Sequence, residues 1–149
     1  MRKIYTAVPL DKPSPVTGER KEWVPYLRVR PAKGHTILRS PLLAIVDSGS
    51  WYCLFRSDIA ESIGIRDITT GKSGPMRGVR KGMEDTFYFH QIQLYIESDW
   101  KIDVMAGFSP NLSVPALLGR NGFFDHFLVT FDHSADPPVI EVSRLGRPA

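Results

Sequence analysis

Twelve prolines and twelve glycines are spread along 149 residues, so the chain is punctuated at short intervals throughout. Each proline removes a ladder or helix donor and fixes φ, and glycines favour turns. Long helices do not survive such punctuation. Short strands joined by turns do, and the chain reads as all-β. Hydrophobic content of 42% and charged content of 23% are those of an ordinary globular domain. The longest apolar run, Leu42 to Val46, is far too short to cross a bilayer. After Met1-Arg2-Lys3 the residues Thr6, Pro9, Asp11 and Lys12 interrupt any apolar leader core, so a cytoplasmic protein is expected. Cys53 is the only cysteine, which excludes an intrachain disulfide and a cysteine-based metal site.

Charge is unevenly placed. Residues 1–39 hold nine Lys/Arg against three Asp/Glu, whereas the remainder holds ten against thirteen. No interleaved aromatic-and-basic motif accompanies the basic third. A solvated surface is the expected reading, with no nucleic-acid partner. A basic β-barrel binding nucleic acid stands as a rival, recognisable by steeply salt-dependent binding.

The turn-rich segment Asp11 to Gly18 separates a possible strand, Lys3 to Val8, from the body of the chain. Residues 1–22 are accordingly read as an N-terminal extension or edge strand, and 23–149 as the domain. Trp23 to Arg30 reads as a strand, and Pro31 to Gly34 as a turn. Thr36 to Leu38 and Leu42 to Val46 read as two arms around a bend, the second apolar enough to suggest burial on both faces. Trp51 to Phe55 reads as a strand. Ser57 is expected to cap a short helix ending at Gly64. Thr69 to Gly74 reads as loop. Met76 to Ile96 reads as a long hairpin bending at Gly78 to Gly82. On its return arm the apolar positions change from odd (Phe87, Phe89) to even (Ile92, Leu94, Ile96) near His90-Gln91, which implies a bulge or a strand leaving the core. Strands are expected at Ile102 to Ala106, before Leu118, at Leu128 to Phe131 and at Val139 to Val142, with a short helix over Arg120 to Phe127.

The chemistry is concentrated where the run Pro41 to Val46 ends in Asp47-Ser48-Gly49. Delivering a carboxylate from an apolar strand into a tight turn is costly, and a reaction is the usual reason for it. Taken alone, the tripeptide is also a common turn sequence. Two carboxylates about 3 Å apart cannot both ionise, so they share a proton. The ionised member takes a proton from water while the protonated one polarises a scissile carbonyl. With one Asp-Ser-Gly per chain, the second carboxylate has to come from a second protomer. Gly49 permits close backbone approach and Ser48 supplies a hydroxyl to fix the turn.

Ala44-Ile45-Val46-Asp47-Ser48-Gly49-Ser50 resembles the catalytic loop of retropepsin-like aspartic proteases. Leu117-Leu118-Gly119-Arg120-Asn121 resembles the family's second signature, which packs against that loop. Asp58 to Ile65 is similar to the short helical segment of cellular and bacterial members, and the Gly78 to Gly82 bend stands in the place of the flap. The resemblance runs in order from about Trp23 to Val142. It implies a small closed acid-protease barrel with a flap hairpin and one or two short helices, acting as a homodimer on extended peptides and needing no cofactor or metal. It implies Asp47 as the catalytic acid/base, Ser48 as a cross-dimer hydroxyl and Gly49 as the turn glycine. Gly78, Val79 and Arg80 would be the flap tip that binds substrate, and Leu117, Leu118, Gly119 and Arg120 would support the site. One departure matters: where viral members place an aspartate to pair with the signature arginine, this chain has Trp51, so Arg120 needs another partner.

Other features carry less. Ser48 lacks the Gly-x-Ser-x-Gly context of a nucleophile. Gly71-Lys72-Ser73 lacks the earlier glycine and following helix of a phosphate loop. Asp125-His126 and Asp132-His133 read as element ends rather than a metal site. His35 and His90 are isolated. Cys53 reads as a small buried apolar residue. Phe87 and Phe89 would contact substrate or pack in a dimer. The remaining rival is a non-catalytic dimeric peptide-binding or assembly module of the same fold.

Overall fold

The computed structural model describes residues 1–77 and 84–146, with backbone alone for 75–77, 84 and 85. The flap-tip positions Gly78, Val79 and Arg80 lie outside the described residues. The strands in chain order are β1 (Arg2–Ile4), β2 (Thr6–Pro9), β3 (Lys21–Val24), β4 (Tyr26–Lys33), β5 (Thr36–Ile37), β6 (Leu42–Val46), β7 (Leu54–Arg56), β8 (Lys72–Arg77), β9 (Glu84–Ile96), β10 (Trp100–Ser109), β11 (Ala116–Leu118), β12 (Phe127–Asp132) and β13 (Val139–Arg144). One α-helix, α1 (Ser57–Ser62), and one 3-10 turn (Ile68–Thr70) complete the described elements. No helix among the described residues is long and apolar enough to cross a membrane. The chain divides into two compact units, Met1–Tyr26 with Phe127 onward, and Leu27–His126.

In the first unit, β13 lies between β1 and β12 in an antiparallel sheet, and β2 pairs with β3 as a separate hairpin. The single strand expected over Lys3 to Val8 is two strands divided at Tyr5. The Tyr5 N–H donates to Pro138 O at 2.9 Å, and its buried ring packs edge-on against His133 with the hydroxyl 3.0 Å from Nε2. Proline causes the next division. Trp23 to Arg30 is broken at Pro25, which has no N–H for a ladder, so β3 ends at Val24 and β4 starts at Tyr26.

The second unit is a closed six-stranded barrel in the order β4-β6-β11-β7-β10-β9, shut by pairing of β9 with β4. Leu27, Val29, Phe55, Leu94, Phe108 and Leu118 are buried in its core. β4 continues through Pro31 to Lys33, past the expected turn. The actual turn is Gly34-His35, with Gly34 at φ +59°, a conformation that favours glycine in a two-residue hairpin. β6 alternates instead of burying both faces: Ala44 and Val46 are buried while Leu43 is 40% exposed. A small closed barrel has only one interior, so a central strand shows its other face outward.

β8 and β9 form the arms of the expected hairpin. The change of apolar phase along β9 is present: Phe87 is buried, then His90, Ile92, Leu94 and Ile96. It is not a bulge, because β9 keeps one register along β10 from Tyr88↔Phe108 to Ile96↔Trp100. What changes is the other neighbour, from β8 up to Phe89 to β4 from Gln93. The interior therefore switches faces while the ladder stays continuous.

Three local expectations are corrected. Residues 69–74 are not one loop: the Asp67 carboxylate accepts from Thr69 N–H (2.9 Å) and Oγ1 (2.6 Å), building the 3-10 turn, and β8 starts at Lys72. Ser57 does not cap α1 but begins it. Arg56 precedes it without a side-chain cap and pairs with Asp58 at 3.0 Å. Residues 120–127 form no helix: Asn121 makes a bridge with Tyr52, 122–126 are turns with Gly122 at φ +119°, outside the helical region, and Phe127 already begins β12.

Candidate active site

Asp47 follows β6 directly, and β6 runs parallel to β11 with Leu117↔Ile45 and Leu118↔Val46 in register. Parallel pairing at this point places the Leu117-to-Asn121 segment alongside the Asp47 loop. The Asp47 N–H donates to Leu118 O at 3.0 Å, and the Arg120 N–H donates to Ser50 O at 2.9 Å. The loop is thus held by backbone bonds on both sides of the turn. Its closure is the Ser50 N–H donating to Asp47 O at 3.1 Å.

Within that turn the Gly49 N–H donates to Asp47 Oδ1 at 2.8 Å. A Cβ at position 49 would stand 3.0 Å from the same oxygen. Glycine here both orients the carboxylate and leaves it room. Asp47 is half-buried, while Ser48 and Gly49 are exposed. The acid therefore sits at the surface with one oxygen fixed by the chain. Ser50 is buried, its hydroxyl donating to Tyr52 O at 2.8 Å.

Arg120 finds the partner that Trp51 denies it as an ion pair. Its Nε–H donates to Ser48 O at 2.6 Å, and its guanidinium lies 4.5 Å from the centre of the Trp51 ring. Asn121 joins the same clamp: its N–H and its Nδ2 both donate to Trp51 O at 2.8 Å, and it forms a bridge with Tyr52. This bridge and the Gly107 N–H to Cys53 O bond replace the expected continuous strand over Trp51 to Phe55, so β7 begins only at Leu54. Gly119 is small for a spatial reason. A Cβ on it would come within 2.6 Å of the Tyr52 carbonyl carbon and 2.8 Å of Ser50 O.

The structure thus brings together Asp47, Ser48, Gly49, Leu117, Leu118, Gly119 and Arg120. Trp51, Asn121 and Ser50 complete the arrangement and were not among the expected site residues. Asn121 was visible as the last member of the second signature. Ser50 closed the first motif and Trp51 stood out as the departure from it, but their roles here, the Ser50 hydroxyl on Tyr52 O and the Trp51 ring under Arg120, appear only in the tertiary structure.

Beneath the loop, Cys53 is fully buried. Burial pushes its thiol from the ordinary 9.0 up to about 11, against lowering hydrogen bonds from the Gly119 and Phe123 backbone, with the Asp125 charge adding a further rise. It behaves as the expected small apolar residue. Phe87 is buried, and Phe89 packs edge-on against Tyr52 at 5.0 Å and over the bare face of Gly107. The Asp-His dipeptides serve turns. Asp125 Oδ2 accepts from the Gly122 N–H and His126 Nδ1 donates to Gly122 O, while Asp132 Oδ1 accepts from the Ser134 N–H and hydroxyl. Among the described residues no group of three or more His, Cys, Asp and Glu could hold a metal ion.

A cleft of about 970 Å³ is walled by β8, β9, β10 and the Asn121–His126 turns, with Tyr52 and Phe89 among its members. Asp47 does not line it. No protein-family model matches the chain, and no curated protein matches its sequence.

Proposed function

We propose that this chain is an aspartic endopeptidase that works as a homodimer, hydrolysing peptide bonds with a water activated between two Asp47 carboxylates. The reading is supported above all by the Asp47 loop: a half-buried carboxylate with one oxygen held by the Gly49 amide, in a turn clamped by Leu118 and Arg120. A bare turn does not require a second segment, parallel and in register, to fix its backbone. A pre-oriented acid does, because a misplaced reacting group loses rate steeply.

Each copy would contribute one acid. The proton shared between them leaves one carboxylate to deprotonate water and the other to polarise the carbonyl. The tetrahedral diol then collapses with protonation of the amine, and no covalent intermediate forms. The substrate would lie extended, with backbone bonds to the hairpin of β8 and β9 in the manner of an added strand, and with apolar residues at the cut.

The test is cleavage of denatured, unstructured protein by the purified chain and by Asp47→Asn. The wild type is expected to cut, with a rate that falls faster than linearly on dilution. Asp47→Asn is expected to be folded and inert. Hydrolysis retained by the variant, or full activity in a monomer, would overturn the reading. A folded wild type that binds extended peptides but never cuts them would favour the non-catalytic module.

A further inference from the structure

The basic excess of residues 1–39 is not used by the Asp47 loop, and Arg28 and Arg30 belong to it. They flank the fully buried Val29 on β4, so both side chains leave the barrel on its outer face. Among the described residues neither guanidinium has a hydrogen-bond or ion-pair partner. The strand register extends the row sideways. Arg30 lies opposite Tyr95 on β9, and Tyr95 lies opposite Lys101 on β10, whose ammonium is 5.5 Å from the centre of the Tyr95 ring. These four side chains help wall a cavity of about 610 Å³ that Asp47 does not line.

Two acids, Glu97 and Asp99, share the cavity from the turn between β9 and β10. Glu97 holds φ +50°, a backbone conformation uncommon for glutamate. In that conformation its N–H donates to Arg28 O at 2.8 Å and its Oε1 accepts from the Arg28 N–H at 3.0 Å. The carboxylate nearest the arginines therefore fastens the Arg28 backbone and leaves the guanidinium to a ligand.

We propose that this cavity binds a mononucleotide, its phosphates on Arg28 and Arg30 and its base against the Tyr95 ring. Neighbours two apart on one strand face stand about 7 Å from each other at Cα, so both planar forks reach one phosphate group or two linked ones. A base lies flat on a phenol whatever its identity, and the basic residues on either side of Tyr95 favour an electron-rich partner. The volume is that of a small-ligand pocket.

The two acids decide between a single nucleotide and a strand. A continuing sugar–phosphate chain would bring further phosphates past Glu97 and Asp99, where like charge repels them. A mononucleotide ends at the arginines and avoids that cost. The site is independent of the shared-carboxylate reading and stands or falls without it.

The experiment is titration calorimetry of the full chain with ADP, GDP, CDP and UDP, and with pyrophosphate, a ten-nucleotide single-stranded RNA and an acidic peptide as comparisons. At least one nucleotide is expected to bind at least tenfold more tightly than pyrophosphate or the peptide, and at least as tightly as the RNA. The double substitution Arg28→Gln/Arg30→Gln is expected to weaken that nucleotide at least tenfold. Both side chains are unpartnered, so its melting temperature should match the parent's. Tyr95→Leu is expected to bring the nucleotide's affinity down to that of pyrophosphate, and Tyr95→Phe, which keeps the ring, to preserve it; the Phe variant serves alone if Leu does not fold, a loss of binding there counting against stacking. No nucleotide binding at millimolar concentration overturns the proposal, as does binding that the arginine substitutions leave unchanged. Pyrophosphate or the peptide binding as tightly as every nucleotide overturns the part given to the base. RNA bound at least tenfold more tightly than any nucleotide overturns the single-nucleotide assignment in favour of a strand.

Discussion

The amide hydrogen of Asp47 is donated to the carbonyl of Leu118 across 71 residues of sequence, at 3.0 Å. That bond makes two separated motifs into one structure. It exists because β6 and β11 are parallel and in register, so the end of one apolar strand meets the end of the other. Parallel neighbours cannot be joined by a tight turn, and here β7 to β10 are threaded between them.

Gly119→Ala tests how tightly these segments approach. The added Cβ would meet the Tyr52 carbonyl carbon at 2.6 Å and Ser50 O at 2.8 Å, both backbone atoms that cannot rotate away. A loss of about 3 kcal/mol or more is expected, at the upper end for overpacking. Chemical denaturation should show it, and an unchanged midpoint would refute the close approach.

Arg120→Lys keeps the charge but removes the planar group. The bond from Nε–H to Ser48 O and the stacking on Trp51 both go. Stability should fall by about 1–2 kcal/mol, the worth of one charged hydrogen bond with an exposed cation–π contact. Thermal unfolding measures it, and equal stability of Lys and Arg would mean that charge alone is used.

Cys53 provides a chemical probe of the buried wall under the loop. Its thiol, pushed by burial to about 11, should resist a thiol reagent at pH 8 in the folded protein and react at once in denaturant. The sign of the pH effect follows. Above the ordinary 9.0 the unfolded chain loses this proton while the folded chain keeps it, so stability falls as pH rises from about 9 to about 11. Cys53→Ala should flatten that part of the pH–stability curve.

Asp67 acts in the opposite direction. Hydrogen bonds from the Thr69 hydroxyl and amide hold its carboxyl below the ordinary 3.8. Its contribution is fully present above that value and disappears as pH falls through the lowered one. Acid should therefore fray the Ile68–Thr70 turn locally. Exchange of the Thr69 amide, corrected for its intrinsic pH dependence, should show protection falling in that range, and Asp67→Ala should lack the effect.

The residue pattern of single strands was readable from the chain, as at β6, β11 and β13, because apolar residues there are bounded by turns. The shift of phase along β9 was also readable, but its cause was not. It arises when β9 exchanges β8 for β4 as a neighbour, and one strand's sequence does not name its neighbours. The helix expected at 120–127 failed on one backbone angle, that of Gly122, which composition does not reveal.

Of the site, Asp47-Ser48-Gly49 and Leu117-Leu118-Gly119-Arg120-Asn121 were legible because each is a local string with local conformational demands. Their meeting was implied by the resemblance, but the way they meet, the parallel register of β6 and β11, was decided by the tertiary structure, since it depends on everything folded between them. The same holds for Arg120. Its sequence says that a guanidinium is available; only the packed chain turns it onto the Ser48 carbonyl and the Trp51 ring, because hydrogen bonds and stacking depend on distances through space that separation along the chain does not contain.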